Sequence, residues 1–414
     1  MSAGLGYAML WSWLAAALFA HVGGAHMQDL SHYLDSAHRV MAGQVPYRDF
    51  VFEYPPLALL PLTLPALLCS TMTVQQYGWY LVLFNSAWSC GIAACVWLMG
   101  RRWMSERRAW AAVAMYLGLT VLGTALFPFR FDLFPTLLTA LALLLAMGGR
   151  PALSGMSLGL GVATKLYPVV LAPVILARWL AIGDRRAAAR FALGATGATV
   201  VAVAPFLVAA PNDFLSFLRY HAQRGLQIES VAAGLLMLRH LTGHLSLGVV
   251  ENYGAIHLQS PAASAVLPFL LPVFAISLAG LTVLSYRCFR SEVAERGRSS
   301  DATLAGCALM SLLLFLFANK VLSPQYVVWL LPFVSLVRWP AYAATVAATA
   351  LTLALFPFHY GSLVGLETLA VATLNVRNLL LALAMLWLVL TQRRAWAPSV
   401  APARDPAVST TSSR

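Results

Sequence analysis

Tyr77-Gly-Trp-Tyr-Leu-Val-Leu-Phe-Asn-Ser-Ala-Trp-Ser-Cys-Gly-Ile-Ala-Ala-Cys-Val-Trp-Leu-Met99 is followed almost at once by Arg101, Arg102, Arg107 and Arg108. A run of this length without a charge matches the ~20 residues a helix needs to cross a ~30 Å hydrocarbon core. The arginines mark where that crossing ends, because positive residues favour the cytoplasm.

Similar runs recur along the chain, near 4–22, 110–127, 133–147, 152–164, 166–180, 191–210, 263–285, 302–318, 325–338, 341–357 and 373–391. With 77–99 they predict an all-α integral membrane protein of about twelve spans. Further arginines fall at 150, at 178–190, at 287–298, at 338 and at 393–394. All of them share one side if both termini are cytoplasmic. Leu57–Leu68 breaks this alternation if it crosses. It is short and carries Pro61 and Pro65, so it is expected to lie on the outer surface or to dip in and return.

Composition agrees. The 414 residues are 60% hydrophobic and 10% charged, with a mean hydropathy of +0.76. A soluble domain carries about 25% charged residues. One membrane domain is expected over 1–394, with outer loops at 23–76 and 211–262, and a disordered cytoplasmic tail over 395–414. The N-terminal run lacks the basic residues of a signal peptide and is expected to be a retained helix. The 5 cysteines form no CxxC pair, so neither a disulfide framework nor a thiolate metal site is suggested. The net charge of +12 arises from the cytoplasmic arginines, which would meet anionic lipid headgroups rather than nucleic acid.

Acids and bases balance on the outer side, where the histidines also gather. Asp29, Tyr33 and Arg39 start a helical stretch after the first span. An acid at that boundary can work as a base, or it can cap a helix. Arg130 and Asp132, in Phe129-Arg-Phe-Asp132, can pair with each other as anchors or face a cavity beneath the first loop. Lys165 and Lys320 each end an apolar run shortly before a proline. They can snorkel to the interface or contact a phosphate, helped by adjacent helix N-termini. In the loop 211–262, Phe214, Leu215, Phe217 and Leu218 suggest a surface helix. Arg224, Gln227 and Glu229 cluster around Gly225. Gly155 and Gly159 form a GxxxG spacing, read as close helix packing. No Walker or strand–GxGxxG–helix motif is present.

Several of these segments together carry a resemblance: Asp29-Leu and Tyr33, Gly43-Gln-Val-Pro-Tyr-Arg-Asp-Phe50, Glu53-Tyr-Pro-Pro56, Arg130-Phe-Asp-Leu-Phe-Pro135, Ala163-Thr-Lys-Leu-Tyr-Pro168, Arg224-Gly-Leu-Gln-Ile-Glu-Ser230 and Lys320-Val-Leu-Ser-Pro-Gln-Tyr326. They resemble the polyprenol-phosphate-sugar-dependent glycosyltransferases of family 87, of the GT-C class. The resemblance implies a multi-span bundle with surface-lying helices and a catalytic Asp in the first outer loop, matched by Asp29. It implies a polyprenyl-phosphate sugar donor, mannose by default, and inverting transfer to a glycolipid or glycan on the outer face of a bacterial plasma membrane. It implies no firm cofactor and leaves a divalent metal open. Lys165, Lys320, Arg130 and Arg224 are the candidates for the phosphate. Asp132, Glu229, Tyr33 and Tyr54 complete the expected binding set, and Tyr47 and Tyr167 are further candidates for the groove lining. The alternatives are a transporter or lipid-linked-sugar flippase, and a non-catalytic scaffold.

Overall fold

The computed structural model describes residues 2–69 and 71–394; the expected tail, 395–414, lies outside the described residues. The chain is a helical bundle. Its α-helices are α1 (Ser2–Met41), α2 (Leu59–Ala66), α3 (Val74–Gly100), α4 (Glu106–Leu122), α5 (Leu133–Met147), α6 (Pro151–Thr164), α7 (Ala172–Ala181) and α8 (Arg185–Ala209). There follow α9 (Ser216–Gln223), α10 (Val231–Leu241), α11 (Pro261–Arg296), α12 (Asp301–Ala318), α13 (Leu331–Val334), α14 (Trp339–Leu353), α15 (Tyr360–Val364) and α16 (Thr368–Arg394). Among the described residues seven helices are long and apolar enough to cross a membrane, including α3, α8, α11, α12 and α16. The segments at 133–147, 152–164 and 166–180 are shorter helices.

α1 runs unbroken through the point where the first span was expected to end. Asp29 therefore sits inside a helix, and the capping alternative falls. Pro56–Ala66 covers roughly 16 Å at 1.5 Å per residue, too little to cross. Leu60 is exposed, as are Leu67 and Leu68 just beyond the segment. Leu59, Leu62 and Ala66 are buried against α1 and α3.

The glycine spacing in α6 does pack closely. A Cβ added to Gly155 would stand 2.0 Å from the Phe191 carbonyl oxygen, and one on Gly159 would stand 2.2 Å from that of Ala195. A Cβ added to Gly194 would in return stand 2.3 Å from the Ala152 carbonyl oxygen. Close backbone approach of this kind suits helices in lipid, where van der Waals contact replaces the hydrophobic effect. Thr199 adds a hydrogen bond to the Gly159 carbonyl at 3.2 Å.

The two ends of the bundle differ in chemistry. Asp301, at the start of α12, pairs with Arg102 at 2.5 Å and Arg178 at 2.6 Å. This ties two of the arginine-bearing segments to the start of α12 at one end. α12 rises roughly 27 Å before Lys320, where the other polar groups assemble.

The long loop 211–262 departs from expectation. Its helix covers Ser216–Gln223, burying Phe217 while Phe214 packs just before it. Beyond it lies an antiparallel sheet, β1 (Leu226–Gln227), β2 (Gly248–Asn252) and β3 (Ala255–Gln259), in the order β1-β3-β2. Tyr253 and Gly254 join β2 to β3 with φ of 47° and 61°, the doubly left-handed turn that matches strand twist.

Candidate active site

Four distant segments converge at the end of the bundle opposite the arginines. α1 carries Asp29. The buried Asn85 of α3 donates to the carbonyls of Pro128 and Arg130, at 2.8 and 2.9 Å, and so holds the Phe129–Asp132 turn. That turn sends its two charges to different partners. Arg130, only 4% exposed, reaches Asp29 Oδ2 at 2.6 Å. Asp132, buried, accepts from Lys165 Nζ at 2.7 Å and from the Trp329 indole at 2.8 Å. Arg130 and Asp132 therefore do not pair with each other.

Lys165 is the extended residue that ends α6. Its ammonium lies 4.7 Å from the Phe131 ring centroid, 5.5 Å from Trp329, 5.6 Å from Tyr326 and 6.0 Å from Tyr54. Ring faces attract a cation without removing it from a ligand's reach. Trp329 is stacked between Tyr167 and Tyr326, with centroids 3.9 and 4.0 Å away.

The loop after α1 is pinned rather than loose. Tyr47 adopts φ of 70°, a costly conformation for a bulky residue. Its ring is buried against Phe214 and Phe217, and its hydroxyl donates to the Tyr54 carbonyl at 2.7 Å. His221 Nε2 contacts the Glu53 carbonyl at 3.0 Å. Burial, and then the nearby Arg224 charge, push the His221 imidazole down to about 4, so it is neutral at pH 7.

Lys320 donates to the carbonyls of Ala222 and Arg224, both at 2.7 Å. Gln227 ties the same segments together. Its backbone N–H donates to the Lys320 carbonyl at 2.9 Å, and its side chain accepts from the Leu322 N–H at 2.8 Å. Lys320 is thus a clasp between the joint after α12 and the loop before β1. Burial, with Arg224 beside it, holds its ammonium below the usual lysine range.

These groups border two adjoining cavities. One holds about 260 Å³ and is lined by Asp29, Glu53, Tyr54, Lys165, Arg224, Lys320 and Trp329, among others. The second holds about 330 Å³ and is lined by Gln28, Asp29, His32, Tyr33, Glu53 and Tyr220. Asp29, Glu53, Tyr54 and Gly254 belong to both. The first is rich in cations; the second carries acids, a histidine and hydroxyls. Asp29 keeps 41% of its side chain exposed between them.

Of the residues singled out from sequence, Asp29, Tyr54, Lys165, Arg224 and Lys320 line the first cavity, and Tyr33 the second. Arg130 and Asp132 stand directly behind it, reaching in through their partners. Glu229 does not join them. It is buried, accepts from the Gln227 amide at 2.9 Å, and offers its backbone carbonyl to Arg377. His221, Tyr253 and Trp329 were missed. Trp329 had a signal: it follows Tyr326 by three residues, one turn of the 3₁₀ helix they share.

The family model described as glycosyltransferase family 87 matches residues 52–318. Asp29 and Tyr33 lie before that stretch and Lys320 just after it. Two structures of the Archaeoglobus fulgidus oligosaccharyltransferase are similar over 95% of this chain. The apo form has 13% identity, a TM-score of 0.45 and 56% of its own chain covered. The form tethered to an acceptor peptide has 12%, 0.43 and 55%. The chain thus spans little more than half the length of those structures. No curated protein matches it.

Proposed function

The chain belongs to glycosyltransferase family 87, and from that premise we propose that it moves a sugar, mannose by default, from a polyprenyl-phosphate donor to a hydroxyl of an envelope glycolipid or glycan. The observation that carries this reading is the exposed Asp29 carboxylate at the shared wall of a cation-rich cavity and a second polar cavity. The acceptor oxygen attacks C1 of the sugar as the C1–O bond to phosphate breaks. Asp29 takes the hydroxyl proton, and attack from the opposite face inverts the anomeric centre. Arg130 fixes Oδ2, which leaves Oδ1 as the proton's destination. Lys165 and Arg224 balance the charge that develops on the departing polyprenyl phosphate; preorganised electrostatics of this kind is often the largest catalytic term. Tyr54 and Tyr326 offer ring faces to the sugar, with Trp329 stacked behind Tyr326. Lys320 acts by holding Arg224 in place.

We place the arginine-rich end on the cytoplasmic side of a bacterial plasma membrane, with both termini there and the site outside. A transporter would be expected to keep ionisable groups near mid-bundle, whereas Asp29, Lys165 and Lys320 all stand at helix ends or extensions. The test is reconstitution with polyprenyl-phosphate mannose and a glycolipid acceptor. Asp29→Asn is expected to lose roughly 10²–10⁴-fold in turnover, the usual contribution of a general base. Wild-type turnover in that variant would remove Asp29 from the role.

A further inference from the structure

A cavity larger than either of those bordered by Asp29 lies at the other end of the bundle. It holds about 600 Å³, and its wall includes Trp103, Arg108, Thr303, Arg338 and Trp387 above an apolar floor of Leu336 and Leu388. Three helices begin around it. Arg108 lies in the first turn of α4, Thr303 in the first turn of α12, and Arg338 is the N-cap of α14. Helix starts present unpaired N–H groups and the positive end of the backbone dipole; at α12 the buried Glu292 carboxylate already accepts from the Ser300 N–H and the Thr303 hydroxyl, which leaves the starts of α4 and α14. Asp301, the acid nearest this opening in sequence, is already held by Arg102 and Arg178. Among the described residues no carboxylate lines the cavity. The Trp387 indole N–H is buried and has no partner among the described residues.

We propose that this cleft binds the phosphate of an anionic membrane lipid. Arg108 and Arg338 grip the phosphate oxygens, which suit the planar guanidinium fork. An acyl chain runs along Leu336 and Leu388, beside the Trp387 ring. The apolar floor and the flanking tryptophans favour a lipid over a free phosphate, since tryptophan settles at the headgroup level of a bilayer. The proposal is independent of the sugar-transfer reading, because the cleft lies a helix length from Asp29.

The test uses the full-length protein in zwitterionic micelles, with retention of phosphatidylglycerol and phosphatidylcholine read by native mass spectrometry. Wild type is expected to retain one phosphatidylglycerol in preference to phosphatidylcholine. Arg108→Gln with Arg338→Gln should weaken that retention by roughly tenfold or more, as loss of charge-assisted hydrogen bonds implies. Trp387→Phe, which keeps an aromatic ring and removes an N–H with no opening to the cleft, should leave it unchanged. Arg186→Gln with Arg190→Gln, exposed on α8 at the same end, should leave it unchanged. Undiminished retention in the first double variant, or equal retention of phosphatidylcholine, would overturn the proposal. Stabilisation of wild type by inorganic phosphate alone, lost in that double variant, would assign the cleft to a soluble anion instead.

Discussion

Replacing Asp132 with Asn should strand the Lys165 ammonium. At 2.7 Å and an effective dielectric of about 20, their attraction is roughly 6 kcal/mol before desolvation is set against it. Asn keeps an acceptor for the Trp329 indole, so packing and one hydrogen bond survive. What is lost is the counter-charge of a lysine whose side chain is 13% exposed. Removing one partner of a buried pair typically costs 3–5 kcal/mol. Because Lys165 borders a cavity that admits water, about 3 kcal/mol is the expected figure for Asp132→Asn. Lys165→Met strands the Asp132 carboxylate, whose Oδ2 already has no partner among the described residues. Its cost should be similar. The double variant strands neither charge, so it should be more stable than the two single costs predict, by at least ~1.5 kcal/mol. Denaturation in mixed micelles, with midpoint and slope measured for all four proteins, gives this coupling energy. Activity behaves differently under the proposed function: all three variants should lose transfer, because none keeps the lysine–carboxylate pair that this reading sets beside the donor phosphate. Costs that add to within ~0.5 kcal/mol would refute the reasoning, and so would full activity in the double variant.

Other outcomes follow from the same geometry. Gly159→Leu drives a side chain into the Ala195 carbonyl and should cost roughly 3 kcal/mol, seen as a lowered aggregation temperature. Gly118→Leu, where a Cβ meets nothing within 4 Å, is its control. Burial raises the Glu229 carboxyl from 4.5 to about 7, against the pull of Arg377. The folded state therefore binds the proton more tightly than the unfolded one. The stability this contributes is complete below about 4.5 and is lost as pH rises through about 7. A pH series of thermal midpoints should show the decline in wild type and a flatter profile in Glu229→Gln. Lys320→Met removes both clasps on the loop before β1, so limited proteolysis near Arg224 should accelerate while α12 stays protected; unchanged cleavage would contradict the clasp.

Membrane character and the arginine-rich end were legible because both depend on local properties, namely run length and charge. So was the close packing at Gly155 and Gly159. Partner choice at Arg130 and Asp132 was not, since their partners Asp29 and Lys165 come from helices the sequence cannot orient. The same holds for His221, whose only clue is its place in a polar loop. The sheet is a different case. Gly254 marks a turn, but a turn does not reveal that β1 pairs with β3, which joins Leu226 to Leu258 and Gln227 to His257.

The Tyr253–Gly254 turn has an effect that its size conceals. Gly254 fronts both cavities, and the Tyr253 ring rests against Tyr220 rather than against a spanning helix. A molecule too bulky for the space beneath must lift a short ribbon, not part the bundle. Acceptor choice would then rest with an outlying, easily exchanged flap. Over evolutionary time, such a flap lets an enzyme change its clientele while the intramembrane scaffold stays as it is.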